Sequence, residues 1–164
     1  MKNHFKETPV KNLFEVQSGD CHATSELGAG DIPLISCGDV GNGLVGYFDI
    51  PDEWIHSRAI TVAYNGSWPL TAKFHPYRFG AKDDVAVLVP LQPMKDSVML
   101  YVAALLNRLI WRYSYGRKCF KGKLRQVSLL MPVDDQLPDD LFQKALKRVS
   151  DSTLKATQEL FREN

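Results

Sequence analysis

Cationic and aromatic side chains alternate in the stretch YSYGRKCFKGKLRQV, Tyr113 to Val127, of a chain whose formal net charge is only +1. Arg117, Lys118, Lys121, Lys123 and Arg125 stand among Tyr113, Tyr115 and Phe120, with Gly116 and Gly122 as expected hinges. Lysine and arginine attract phosphates whatever the sequence, and arginine also reads base edges. Tyrosine and phenylalanine can anchor such a loop or stack on a base, and glycine lets backbone approach a phosphate. A second cluster, NGSWPLTAKFHPYR, sets Asn65, Ser67, Trp68, Lys73, His75, Tyr77 and Arg78 on a turn and an aromatic platform. The chemistry offered by both is binding of a nucleic acid; the competing reading is a pair of solvated loops.

Catalytic chemistry finds less support. Cys21, His22, Cys37, His56 and His75 lack the paired spacing of a zinc site. Ser67, Cys119 and the histidines form no recognisable nucleophile–base arrangement. GDVGNG lacks the Lys-Ser/Thr of a phosphate-binding loop and precedes a strand, so it reads as a hairpin turn. Asp83-Asp84 has no downstream acid and lysine to complete a nuclease triad, which leaves a cap or turn role. The expectation is a chain with no catalytic residue, no metal and no cofactor of its own.

Charge is segregated along the sequence. From Asn12 to Ser57 the chain carries Glu15, Asp20, Glu26, Asp31, Asp39, Asp49, Asp52 and Glu53 with no lysine or arginine. From Ser97 to Val133 it carries Arg108, Arg112, Arg117, Lys118, Lys121, Lys123 and Arg125 with no acid. Such a pattern either builds a positive face on a neutral molecule or brings acids and bases together in mutual neutralisation.

The elements that must position these residues follow from the apolar pattern. At 164 residues and 45% apolar, one domain with a real core, plus an appended element, is expected. VMLYVAALL is the longest apolar run and is far short of a membrane span, and the N-terminus lacks a signal-peptide pattern. Three scattered cysteines suit a reducing compartment, and a cytoplasmic location is expected.

Strands are expected at DIPLIS and LVGYFDI around the Asn42-Gly43 turn, at AITVA before the Asn65-Gly66 turn, and at DDVAVLVP. LTAKFHPYRFG reads as an aromatic edge or loop, because Pro76 is excluded from a central strand. SVMLYVAALLNRLIWRYSY reads as a buried helix capped by Ser97 and ended by Gly116, with QVSLLMPV as the last strand. From Pro138 a second helix is expected, with Phe142, Leu146, Val149, Thr153, Ala156 and Leu160 in a heptad-like seam. That seam suits a short coiled coil with another helix; the alternative is an amphipathic helix lying on its own domain.

The order of these motifs resembles the target-recognition domains of restriction-modification specificity subunits. NLFEVQSGD, IPLISCGDVGNGLVGYFD, ITVAYNGSWPLTAKFHPYRFGAKDDVAVLVP and RYSYGRKCFKGKLRQVSLLMPV carry the likeness, from about Lys11 to Pro132. SYGRK before the last strand is most similar to the type I and type II-B/II-G systems. The resemblance implies a mixed α+β fold: a small twisted β-rich domain over residues 1–133, followed by a long helix over 138–164 for spacing or dimerisation. It implies a non-catalytic subunit that reads one half of a bipartite double-stranded DNA target. It further implies an adenine methyltransferase partner, which would hold the S-adenosylmethionine, and in some systems a restriction subunit. Specificity subunits carry two such domains, whereas this chain carries one; pairing of two copies through the C-terminal helix is the leading expectation, and an excised or phage-type single domain working with a different partner is the alternative. The rival expectation is a protein-interaction module or decoy that binds the methyltransferase rather than DNA.

Overall fold

The computed structural model describes residues 5–132. The chain divides into one unit of residues 6–131 and a second made of residues 1–5 and 132–164. The geometry below concerns the first unit, and the helix expected over 138–164, with its seam from Phe142 to Leu160, lies outside the described residues.

A six-stranded mixed sheet organises the unit. Its strands are β2 (Phe14–Ser18), β3 (Gly28–Ile35), β4 (Leu44–Asp49), β5 (Ile55–Ala63), β6 (Ala72–Ala81) and β7 (Val85–Pro90). The spatial order is β2-β7-β5-β6-β3-β4, antiparallel except for the short β3–β6 contact. β1 (Phe5–Pro9) and β8 (Ser128–Pro132) form a separate two-stranded sheet. Two helices complete the unit, α1 (Asp96–Asn107) and α2 (Lys121–Gln126).

Period-two alternation decides what each face of the sheet buries. Ile60, Val62, Ala72, Phe74, Ala86 and Leu88 join Met99, Val102 and Leu106 of α1 and Leu124 of α2 in the main core. Ala59, Phe79, Ala81, Val85 and Val87 form a smaller cluster with Ile35. Both helices therefore pack into the main core, and α2 holds its place through one fully buried residue, Leu124.

The strands expected at Asp31–Ser36, Leu44–Ile50, Ala59–Ala63 and Asp83–Pro90 are present, the last starting at Val85, and the glycine turns fall between them. Asn42 and Gly43 have φ of 56° and 78°, and Gly66 has φ of 84°. Three expectations are corrected. LTAKFHPYRFG is an interior strand, with β5 on one side and β3 on the other. Pro76 is tolerated because the β5–β6 register shifts between Ser57 and Ala59, setting Pro76 and Tyr77 against Arg58 in a bulge. On its other side, β3 pairs only with Gly80 and Ala81, so Pro76 has no ladder bond to withhold.

The helix capped by Ser97 instead begins at Asp96 and stops at Asn107, well before Gly116. A 3-10 turn at Ile110–Arg112 follows, and Trp111 is left 77% exposed. Gly116 and Gly122 are not hinges: neither adopts positive φ, and a Cβ at either would meet nothing within 4 Å.

Candidate nucleic-acid interface

The basic stretch is a tight turn followed by a short helix. Ser114 and Arg117 close the turn with paired backbone bonds, Arg117 N–H to Ser114 O at 2.9 Å and the reverse at 3.3 Å. Tyr115 and Gly116 occupy its tip, and Tyr115 is 74% exposed. Cys119 then drops into the main core, fully buried, and Leu124 follows it five residues later, inside α2. These two anchors fix the backbone on either side of Phe120, with Lys121 and Lys123 between them, Arg117 and Lys118 just before and Arg125 just after.

Each cation has a distinct environment. Lys118 Nζ lies 5.1 Å from the Tyr115 ring centroid and 5.9 Å from that of Phe120, a double cation–π contact. Lys123 Nζ donates to the Lys118 carbonyl at 3.4 Å, and Arg125 donates to the Val16 carbonyl at 3.3 Å. Arg117 and Lys121 make no side-chain hydrogen bond or ion pair among the described residues. The ion pairs of the described residues are His22–Asp83, His56–Asp20, Arg58–Asp96 and Arg78–Asp52. No cation between Arg108 and Arg125 takes part in one. Mutual neutralisation of the acidic and basic segments is therefore not what this stretch does.

The β5–β6 connection meets the basic stretch through Tyr64. Its ring stacks obliquely on Phe120 at 5.8 Å and 49°. Tyr64 is 6% exposed, and burial pushes its phenol pKa up. Asn65 Oδ1 is buried without a hydrogen-bond partner among the described residues. Beyond it Ser67 and Trp68 are exposed, Trp68 at 59%. The loop is closed by Leu70, in the left-handed region at φ 77°, and by Thr71 Oγ1 donating to the Trp68 carbonyl at 2.7 Å.

The remaining residues of the second cluster separate from this tip. Lys73 is half-buried with its ammonium on the Gly38 carbonyl, and burial lowers its pKa. His75 has no exposed surface, which overturns its assignment to base contact. Its Nδ1 accepts from Asn42 Nδ2 at 3.2 Å, so Nε2–H is the donor to Thr61 Oγ1 at 2.9 Å. Burial, and secondly the nearby Lys73 charge, lower its pKa to about 4 and keep the imidazole neutral. Its role is structural: it ties the β3–β4 turn to the sheet. Tyr77 and Arg78 are exposed, but six residues of extended chain set Arg78 about 20 Å from Ala72. There Arg78 pairs with Asp52 at 3.3 Å.

The Tyr64–Phe120 contact thus joins the turn that carries Asn65, Ser67 and Trp68 to the stretch that carries Arg117, Lys118, Lys121, Lys123 and Arg125, whereas Lys73 turns to the Gly38 carbonyl, His75 is buried, and Tyr77 and Arg78 lie farther along β6. Tyr64 was missed as a member of the site, whereas Tyr115 stands among the aromatics already read in the basic stretch. The signal for Tyr115 was the tyrosine-glycine pair inside YSYGRK, a turn tip flanked by cations. Asp83 and Asp84 serve the turn before β7, as expected, with Asp83 accepting from His22 at 3.0 Å and Asp84 from the Cys37 amide at 3.2 Å. No group of His, Cys, Asp and Glu among the described residues could hold a metal ion.

No family model matches the chain. It is 25% identical over 153 residues to the specificity subunit S.BcgI of a type II restriction enzyme from Heyndrickxia coagulans. The match covers 92% of this chain and 45% of that protein. Solved structures share the fold. The type I restriction-modification S subunit from M. genitalium superposes with a TM-score of 0.64 at 14% identity, over 96% of this chain and 45% of that one. The HsdS subunit from Thermoanaerobacter tengcongensis gives 0.63 at 11%, over 96% and 39%. A chain from a study of complex assembly and conformational transition in the type I R-M system gives 0.67 at 13%, over 99% and 44%. The chain therefore resembles restriction-modification specificity subunits in sequence and has their mixed α/β fold, spanning less than half the length of each relative.

Proposed function

We propose that this chain is a non-catalytic DNA-recognition domain of a restriction-modification system, reading one half of a bipartite duplex target. The observation that carries the reading is the set of cations from Arg117 to Arg125, anchored by the buried Cys119 and Leu124 and with no ion pair among the described residues, beside the turn that exposes Ser67 and Trp68. Phosphate contact is the task that residues of this type perform in the basic stretch. Base reading falls to Asn65, Ser67 and Trp68 on the neighbouring turn, with Arg117 able to reach either. The similarity to a specificity subunit over most of the chain supports the same reading.

The partner in this proposal is a DNA adenine methyltransferase, which supplies S-adenosylmethionine and the chemistry; a restriction subunit joins it in systems that cleave. The chain itself acts in the cytoplasm and needs no cofactor. Two copies of the chain, paired through the positions from Phe142 to Leu160, would read a palindromic pair of half-sites.

The test is a salt titration of duplex DNA binding by fluorescence anisotropy. Neutralising one phosphate contributes about 0.9 to the slope of log K against log salt. The double change Arg117→Ala, Lys118→Ala should therefore weaken binding and lower the slope by between about 1 and 2. An unchanged slope would remove the basic stretch from the interface. Methylation mapping in a host carrying the intact system should show a bipartite motif that disappears when this gene is deleted.

A further inference from the structure

The acid-free segment from Ser97 to Val133 also exposes large aromatic rings. Trp111, Tyr115 and Phe120 are 77%, 74% and 55% exposed. Single exposed aromatics are ordinary on protein surfaces, but each of these three has a cation over its ring. The Arg112 guanidinium lies 5.2 Å from the Trp111 centroid, and Lys118 Nζ lies over both Tyr115 and Phe120. Every cation–π contact found among the described residues falls in this segment.

Tyr115 and Phe120 form two walls around one point. The Lys118 ammonium occupies that point, 5.1 Å from one centroid and 5.9 Å from the other. Phe120 is the fixed wall: its ring leans on the buried Tyr64, with 5.8 Å between centroids. Tyr115 is the outer wall, carried on the turn that Ser114 and Arg117 close with paired backbone bonds. The Tyr115 ring joins none of the apolar clusters, so the fold does not need it for packing.

The surrounding charge selects the occupant. Arg117 and Lys121 have no side-chain partner among the described residues, and no ion pair there includes a cation between Arg108 and Arg125. A cationic guest would be repelled, and an apolar one would gain nothing from these charges. A flat ring that brings a phosphate with it satisfies both features, and that chemical class is a nucleotide. A duplex presents base edges in its grooves and keeps base faces covered by stacking. A ring-face site therefore takes a base that has left the stack. An exposed cation–π contact is weak, and the ammonium finds a stronger partner in the phosphate that arrives with the base.

We propose that Tyr115 and Phe120 form a stacking site for one unpaired DNA base, kept closed by Lys118 in the free chain. On binding, the ammonium leaves the rings for the phosphate of that nucleotide, and the base takes its place. The inference rests on the DNA reading above. It adds that the chain engages single strands and unstacks a base of its duplex target.

The experiment is fluorescence anisotropy of two labelled single strands of about twelve nucleotides, titrated with the full chain. One is oligothymidylate, and the other is an abasic strand of equal length and charge. Oligothymidylate should bind at least about fivefold tighter at the same salt. Tyr115→Ala should bring that ratio close to one, and Tyr115→Trp should retain it. Lys118→Met should lower the salt slope on oligothymidylate by about 0.7 and still leave the ratio well above one, because both rings remain. Each variant is verified as folded by circular dichroism. Equal binding of the two strands by the wild type, or a ratio that Tyr115→Ala leaves unmoved, would overturn the stacking site. If duplex DNA is bound in that case, the DNA reading stands without it. Failure to bind the duplex or either strand would overturn both.

Discussion

Asn107 closes both ends of its amide onto the backbone of Ala72. Its Oδ1 accepts from the Ala72 N–H at 2.7 Å, and its Nδ2 donates to the Ala72 carbonyl at 3.0 Å. One side chain thereby joins the last residue of α1 to the first of β6, just behind the Asn65–Trp68 tip. Ala72 is 3% exposed, so its peptide groups have little access to water if the amide is removed. Asn107→Ala should cost about 1–2 kcal/mol in urea unfolding. Asn107→Asp should fall in the same range, since a carboxylate keeps the acceptor but opposes the carbonyl.

His75 makes stability depend on pH. Its pKa is about 4 in the folded chain against 6.5 for the free side chain. The folded state therefore resists protonation that the unfolded state accepts. Sign follows directly: the contribution is fully present above pH 6.5 and is lost as pH falls from 6.5 towards 4. The total is on the order of 3 kcal/mol, at about 1.36 kcal/mol per pKa unit. Urea midpoints at pH 7.5 and 5.0 measure it. The wild type should lose markedly more stability across this interval than His75→Gln, which leaves the second lowered histidine, His56, in place. Equal losses would mean that His75 is protonated without unfolding.

The three cysteines should be unreactive in the folded chain. Cys21 and Cys119 are 2% and 0% exposed, and burial raises both thiol pKa values. Cys37 is more accessible, but burial and then the hydrogen bond with Asp84 push it up to about 11. At pH 8 only about one Cys37 in a thousand would be thiolate, the reactive form. Ellman's reagent should report almost no fast thiol in buffer and three in 6 M guanidinium chloride. A rapid single equivalent in buffer would show that the β3–β4 connection opens.

How far the sequence discloses this fold depends on whether the deciding forces are local. The Asn42-Gly43 and Asn65-Gly66 turns were legible because positive φ is a property of the residues themselves. The Ala59–Ala63 half of β5 was legible from its β-branched run, and β7 from the apolar run in DDVAVLVP, while Ile55–Arg58 was not read as strand. Pro76 misled because its tolerance depends on a bulge opposite Arg58 and on where β3 stops pairing, neither of which is local. The end of α1 misled for the same reason: RLIWRY continues the helical spacing, but Asn107 is pinned to a strand 35 residues away.

At the candidate site, the Arg117–Arg125 stretch was legible as a concentration of charge. The splitting of the second cluster was not. His75 and Trp68 lie seven residues apart, and burial sends one inward and leaves the other at a tip. Only the packing of Tyr64 on Phe120 reveals that the tip and the basic stretch share a surface.

Gly43 and Gly41 offer a paired test of the turn that carries Asn42. Both have positive φ, 78° and 57°, so alanine at either brings backbone strain of about 1 kcal/mol or somewhat more. They differ in space. A Cβ on Gly41 would meet nothing within 4 Å, whereas one on Gly43 would lie 2.5 Å from the Ser36 carbonyl oxygen and 3.3 Å from Lys73 Nζ. That carbonyl cannot simply swing away, because the Ser36 N–H is itself bonded to the Gly43 carbonyl at 2.8 Å. Gly43→Ala should therefore destabilise the chain by at least about 1 kcal/mol more than Gly41→Ala in urea unfolding. It should also loosen the Asn42–His75 bond and so raise the His75 pKa, an effect readable by NMR titration of the imidazole. Equal costs for the two variants, with an unmoved His75 pKa, would show that the turn adapts without disturbing the network it anchors.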